Sequence, residues 1–300
     1  MNDKITLVTA FFQLGRGEWD SFKRTNDDYF NYFDFWARIK NDMIIYTDKV
    51  SAQKIEEIRI KKYNRKNTKI IIIEDYKKID EDLYNSIKSA TENGFNTEFR
   101  INPSTPESWN YDYNYVMLLK EWCVKDSVEK GLAKGMIAWI DFGYNHGGKY
   151  YKESQEFEFE WKWKFSDKIH LFTVNKLDDL PIFEIIRSVN SYIQGGIIVA
   201  PDKLWLKLWN LVKENMLTLN KVGFSDDDQT ILLMTYRQNK DLFELHESDS
   251  WFSVIADYSN QKFTIKKCEA KKKKHKLSKK LIVKYLIKWF KILSTIEVKW

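Results

Sequence analysis

The chain has 300 residues, 43% hydrophobic and 16% aromatic, which excludes an intrinsically disordered protein and suits one large α/β domain or two small ones. No run of 18 uncharged apolar residues and no basic, apolar leader is present, so the composition predicts neither a spanning helix nor a secretory signal and places the chain on the cytoplasmic side. The net charge of +6 is uneven: residues 266–291 carry an excess of +11, leaving −5 for residues 1–265.

Residues 5–12 form a β-branched and aromatic run, the pattern of a buried first strand. Gly15-Arg16-Gly17 follows at once; it can bring backbone amides to a ligand but lacks the dinucleotide and Walker patterns. Residues 27–39 read as a helix with Phe30, Phe33, Phe35 and Trp36, more aromatics than one face can bury, and with Arg38 near its end, open to a phosphate or to a neighbouring acid. Residues 43–48 give a second strand ending in Asp48, 53–63 a charged helix and 69–75 a third strand. Strands alternating with helices predict a parallel sheet. Residues 94–110, with Pro103 and Pro106, read as a loop near a site, and 111–131 as a long helix with Tyr115, Leu118, Leu119 and Trp122 on one face and Lys120 and Lys125 elsewhere. Cys123 lies in that helix and Cys268 in a lysine run, with no disulfide or zinc spacing.

The run 136–144 organises the chain. It is an apolar strand that stops at Asp141 and opens into a loop with Gly143, Gly147 and Gly148. Ligands of α/β sheets bind at the carboxyl ends of strands, and a carboxylate there suits a divalent cation holding a diphosphate; the alternative is a simple turn residue. Beyond it, Phe157, Phe159, Trp161 and Trp163 alternate with charged residues over 155–164, which predicts a half-exposed strand inserted beside the site. A strand at 168–174 and a short helix at 181–189 come next. Gly195-Gly196 precedes a buried strand, where glycine permits close approach of a ligand or backbone. After an amphipathic helix at 203–220, Asp226-Asp227-Asp228 opens another helix; one acid suffices as a cap, so three exceed that need. A last strand, 242–246, ends in His246.

This order, with an apolar strand ending in Asp141-Phe142-Gly143, then Gly195-Gly196, then Asp227-Asp228-Gln229, resembles the nucleotide-sugar-dependent glycosyltransferases of the GT-A fold. Thr9-Ala10-Phe11-Phe12, Gly15-Arg16-Gly17, Phe35-Trp36-Ala37-Arg38, Ile45-Tyr46-Thr47-Asp48 and Trp139-Ile140-Asp141-Phe142-Gly143 together look like the bacterial HtrL/YibB family over about residues 5–260. The resemblance implies a GT-A-like catalytic domain over 1–265, with Asp141 in the first position of the metal-binding Asp-x-Asp motif; Gly143 stands where the second Asp is expected. His246 is the matching candidate to complete a Mn²⁺ or Mg²⁺ site. Thr9, Ala10, Phe11 and Asp48 are implied along the nucleoside, Gly195 and Gly196 along the sugar or acceptor, and Arg16, Arg38 and Lys120 are the cations available to a departing diphosphate. In an inverting enzyme a carboxylate takes the acceptor's proton, a role that falls to Asp227 or Asp228. The expected reaction is transfer of a hexose, taken as galactose, from a UDP-sugar to a lipid-linked or lipo-oligosaccharide acceptor. The alternative is an inactive nucleotide-sugar or glycan-binding relative.

From residue 266 the composition changes. Lys280, Lys284, Lys288 and Lys291 fall on one helical face, and Leu281, Tyr285 and Trp289 on another, the composition of a helix lying in a membrane interface. The tail 266–300 is therefore expected to hold the protein at the anionic cytoplasmic face of the inner membrane. The acidic body has no known nucleic-acid-binding module, so no nucleic-acid partner is expected.

Overall fold

In the computed structural model, which describes residues 4–266, the first apolar run becomes β1 (Ile5–Phe11), buried at all but one position. β1 pairs in parallel with β2 (Met43–Thr47) on one side and with β4 (Met136–Ile140) on the other, and β3 (Thr68–Ile72) extends the sheet beyond β2. β6 (Ile193–Pro201) runs antiparallel between β4 and β5 (Ile169–Thr173), and β7 (Phe243–Glu247) lies parallel to β5 at the edge. The order of this seven-stranded sheet is β3-β2-β1-β4-β6-β5-β7. It is the mostly parallel α/β arrangement expected, with one reversed strand.

The connections are α1 (Asn26–Trp36), α2 (Lys49–Glu56), α3 (Glu81–Glu92), the short α4 (Phe95–Glu98) and α5 (Pro106–Trp109), α6 (Tyr111–Glu129), α7 (Ile182–Ser188), α8 (Asp202–Lys221), α9 (Asp228–Gln238) and α10 (Val254–Asp257). A reciprocal capping box starts α1: Thr25 Oγ1 accepts from Asp28 N at 3.1 Å and Asp28 Oδ2 accepts from Thr25 N at 2.7 Å. Phe30, Phe33 and Trp36, at helical spacing, then face the sheet, and the Phe142 ring stacks on Phe33 with centroids 4.3 Å apart.

Two cores result. One face of the sheet, with Val8, Trp139 and Ile198, packs on α3, α6, α8 and α9 through residues such as Ile87, Leu119, Trp205 and Ile231. The other, with Leu7, Ile140 and Phe172, packs on α1, α2 and the segment after β4.

The alternating stretch 155–164 is not a strand. Ser154–Phe157 makes one 3-10 turn, and Lys162 forms only an isolated bridge with Lys4. Phe157 and Trp161, four residues apart, are the buried members. The Asn41 side chain replaces a partner strand, donating to Trp161 O at 2.8 Å and accepting from Trp161 N at 2.7 Å. Within 94–110, buried Asn96 ties α4 to α5 by donating to Ser108 O at 2.9 Å. The amphipathic tail from residue 267 onward, Cys268 included, lies outside the described residues. No helix among the described residues is long and apolar enough to cross a membrane.

Candidate active site

A cavity of about 570 Å³ is lined by Ala10 and Phe11 from β1, Asp141 just after β4, Gly195 and Gly196 from β6, Lys120 from α6, and Asp226, Asp227 and Asp228 at the start of α9. The Asp141 side chain lies on the Trp139 face of the sheet, because Trp139 Nε1 donates to Asp141 Oδ1 at 2.9 Å. Asp141 N still bonds to Gly196 O at 2.9 Å, so the ladder continues one residue beyond β4 and fixes the backbone that carries the carboxylate.

Lys120 is the centre of the site. Its ammonium lies 2.7 Å from Asp228 Oδ2 and 3.0 Å from Asp141 Oδ1, and it donates to Gly195 O at 3.0 Å. The Lys120 and Asp228 side chains are only 4% and 3% exposed, whereas Asp141 is 39% exposed. Burial alone would favour a neutral lysine, but the carboxylates of Asp141 and Asp228 outweigh it and hold the Lys120 pKa above its ordinary value. A buried cation held by two acids and a carbonyl is satisfied and rigid. Gly195 is what lets Asp228 reach it, since a Cβ there would lie 1.5 Å from Asp228 Oδ2.

Around this centre lies a layer of buried acids. Asp227 caps α9, accepting from Gln229 N at 3.1 Å and Gln229 Nε2 at 3.0 Å. Burial first, then the charges of Asp228 and Asp226, push its pKa well above the ordinary carboxylate value. Asp226 pairs at 3.2 Å with the fully buried Arg100, which also donates to Ser225 O at 2.8 Å. Glu107 is raised by burial and by Asp226. Glu121, next to Lys120 on α6, is raised to about 8 by burial and by Asp228.

The opposite wall is basic and aromatic. Arg16 stacks over Trp19 with its guanidinium carbon 4.7 Å from the ring centroid, and its Nη1 donates to Tyr29 OH at 2.7 Å. Arg24, Lys149 and His146 also line the cavity. Burial, then the charges of Arg24 and Lys149, lower the His146 pKa to about 4, so its ring is neutral at pH 7. It is aimed inward by a tight turn in which Asn145, His146, Gly147 and Gly148 all have positive φ, the last at 109°, a value suited to glycine.

The structure thus gathers Ala10, Phe11, Arg16, Lys120, Asp141, Gly195, Gly196, Asp227 and Asp228, and leaves four expected residues out. Thr9 is fully buried in β1 and is not on the cavity wall. Arg38 stacks on Tyr63 at 4.7 Å, outside the cavity. Asp48 is the N-cap of α2, accepting from Ser51 N at 2.9 Å. His246 faces the other core: its ring stacks on Phe172 at 5.2 Å and its Nε2 lies 2.8 Å from His170 Nδ1. Strand parity and three intervening pairings separate it from Asp141, so the two do not share an ion. Conversely, Arg24, Glu107, Tyr113, His146 and Lys149 line the cavity, and Arg100 joins it through Asp226, although the sequence pattern singles out none of them by name. His146, five residues beyond Asp141 in the glycine loop, and Arg100 and Glu107, within the segment 94–110 that reads as a loop near a site, carried a local signal.

For a divalent cation, the donor set at the cavity is lean. Asp141 Oδ1 is engaged by Lys120 and Trp139, and Asp228 Oδ2 by Lys120. The partly exposed remainder of the Asp141 carboxylate fits the manner in which Mg²⁺ is usually held, by one or two carboxylates plus substrate phosphates, rather than an all-protein cage.

A mixed sheet of this order, carrying an acid at the carboxyl end of its fourth strand and a Lys120–Asp228 pair beside it, makes this a mostly parallel α/β protein with its candidate site at the strand ends. A family model described as "Bacterial protein of unknown function (HtrL_YibB)" matches residues 3–259, and the chain is 33% identical over 273 residues to Protein HtrL of Escherichia coli (strain K12), covering 85% of this chain and 92% of that protein. The chain belongs to the HtrL/YibB family. Among solved structures it is similar to mouse xyloside xylosyltransferase 1 in its apo form (TM-score 0.42, 11% identity, 81% of this chain and 84% of that one) and to the PaToxG glycosyltransferase (TM-score 0.36, 11% identity, 78% and 68%).

Proposed function

We propose that the protein is a glycosyltransferase that moves a hexose, galactose in the simplest reading, from a UDP-sugar to a lipid-linked or lipo-oligosaccharide acceptor with inversion. The observation that carries this reading is the buried Lys120 held between Asp141 and Asp228 at the carboxyl end of the sheet. A diphosphate leaving group gathers negative charge as the sugar–phosphate bond breaks, and fixed cations facing it stabilise that charge without reorganisation. Lys120 from below and Arg16, Arg24 and Lys149 from the walls supply such a field. Mn²⁺ or Mg²⁺, held by Asp141 and the diphosphate, would add Lewis-acid stabilisation of the same charge.

Asp227 and Asp228 divide the remaining work. Asp228 positions Lys120. Asp227, on the cavity wall, accepts the acceptor hydroxyl's proton through its ionised carboxylate. The basic, lysine- and aromatic-rich tail is assigned to the anionic membrane face, where a lipid-linked acceptor is presented. Assay of the full chain for UDP-hexose hydrolysis and transfer tests the reading. The absence of a second acid at Gly143 favours one alternative, a relative that binds nucleotide sugar without turnover; binding of UDP with no release of hexose from any donor would identify it.

A further inference from the structure

On the far face of the sheet, the edge strand β7 and its neighbour β5 bring two imidazoles and a carboxylate together. The parallel register sets His170 opposite Glu244 and Phe172 opposite His246. Residues two apart on a strand share a face, so His170, Glu244 and His246 project to the same side. One donor atom from each lies within 4.8 Å of the others.

We propose that His170, Glu244 and His246 form a Zn²⁺ site, separate from the cavity, that ties the edge strand β7 to the sheet. Two imidazoles and one carboxylate are a common zinc ligand set, with water in the fourth position. The surroundings are those of a prepared site. His170 Nε2 donates to Ser166 O at 3.0 Å, which fixes the tautomer and leaves the Nδ1 lone pair directed at the cluster, the usual support of a metal-bound histidine. Ser166 Oγ donates to Glu244 Oε2 at 2.5 Å and orients the carboxylate. Phe165, Phe172 and Tyr258 pack on the His246 ring as an apolar shell.

Without an ion, His246 Nε2 and His170 Nδ1 are 2.8 Å apart and share the His246 proton. Two nitrogens bound to one tetrahedral zinc at about 2.0–2.1 Å stand roughly 3.3 Å apart, so the rings separate by about half an ångström. His246 then carries its proton on Nδ1, and no proton is released. Its side chain is 13% exposed and that of Glu244 45%, which gives the ring room to shift and the ion a path of entry. The Glu244 oxygens lie 4.0 Å (Oε2) from His170 Nδ1 and 3.9 Å (Oε1) from His246 Nε2, so the exposed carboxylate has only to swing inward by a small rotation to join them.

The test is zinc titration of the full chain after chelator treatment, with bound metal counted by mass spectrometry and Co²⁺ used as a visible reporter of tetrahedral coordination. The wild type and Asp141→Asn should each bind about one zinc ion through this site and melt at a higher temperature with zinc. His246→Gln and Glu244→Gln, both at partly exposed positions, should bind at this site about tenfold or more weakly, lose the tetrahedral Co²⁺ bands, and melt without metal as the wild type does. Zinc binding that is undiminished in His246→Gln, absent from the wild type, or lost in Asp141→Asn instead would overturn the proposal.

Discussion

The Asp228 carboxylate occupies the space that a side chain at residue 195 would need, since a Cβ on Gly195 would sit 1.5 Å from Oδ2, the oxygen that accepts from Lys120 at 2.7 Å. The glycine of β6, the acid that opens α9 and the lysine of α6 are therefore one mechanical unit. Gly195→Ala must push Asp228 away from Lys120, with an overpacking penalty of about 1–3 kcal/mol and at least a tenfold loss of transfer activity. Gly196→Ala, whose Cβ would meet nothing nearer than 3.8 Å, is the control. Melting temperatures and rates for the pair check this; equal effects at the two glycines would contradict it.

Lys120 is the counter-charge for two acids, one of them buried. Lys120→Met leaves Asp228 uncompensated and should destabilise the fold by about 3–5 kcal/mol while lowering kcat about 100-fold or more. Adding Asp228→Asn removes the stranded charge. The double variant should regain much of the stability and none of the activity, a separation that denaturant melts and rate measurements on the four proteins would reveal.

Glu121 supplies a pH signature. Its folded pKa of about 8 lies above the ordinary 4.5, so between those values the folded chain keeps a proton that the unfolded chain has released. Its contribution to stability is complete below pH 4.5 and is lost as pH rises through 8. Glu121→Gln removes this dependence. The melting temperature of the variant should match the wild type near pH 5 and exceed it by about 5 °C or more near pH 9; a constant difference across the range would refute the assignment.

The membrane reading of the tail rests on composition, with each lysine near an anionic leaflet contributing about 1 kcal/mol. The full chain should sediment with vesicles containing anionic lipid at moderate salt, and a chain ending at residue 265 should not. Equal sedimentation of both would remove the tail from the account.

Much of this site was legible because strands buried on both faces read as apolar runs, and the residue that ends such a run stands out. Asp141 was visible for that reason, and the acids opening α9 because three in a row exceed what a helix cap needs. Lys120 was visible only as an available cation. It lies on α6, which buries Leu118, Leu119, Lys120, Glu121 and Cys123 in near succession, so no amphipathic stripe marks the face aimed at the site. His246 shows a different limit: sequence order locates the end of a strand, but its face depends on pairing parity, which set the ring against Phe172. The alternation at 155–164 misled because aromatics in an irregular segment were buried by Asn41 and the second core, not by a strand partner. Arg100 and Glu107 were placed only as members of the loop 94–110 near the site, because what fixes their part in it is Asp226, more than a hundred residues away.

The central claim is a nucleotide-sugar site built on Asp141, and calorimetric titration with UDP-galactose in the presence of Mn²⁺ tests it most directly. The wild type should bind, with affinity that falls at least tenfold in EDTA, and Asp141→Asn should bind no better with Mn²⁺ than without it, while melting as the wild type does, because the side chain is partly exposed. Binding of equal strength in the wild type and Asp141→Asn, or no binding of any UDP-hexose by the wild type, would contradict the account.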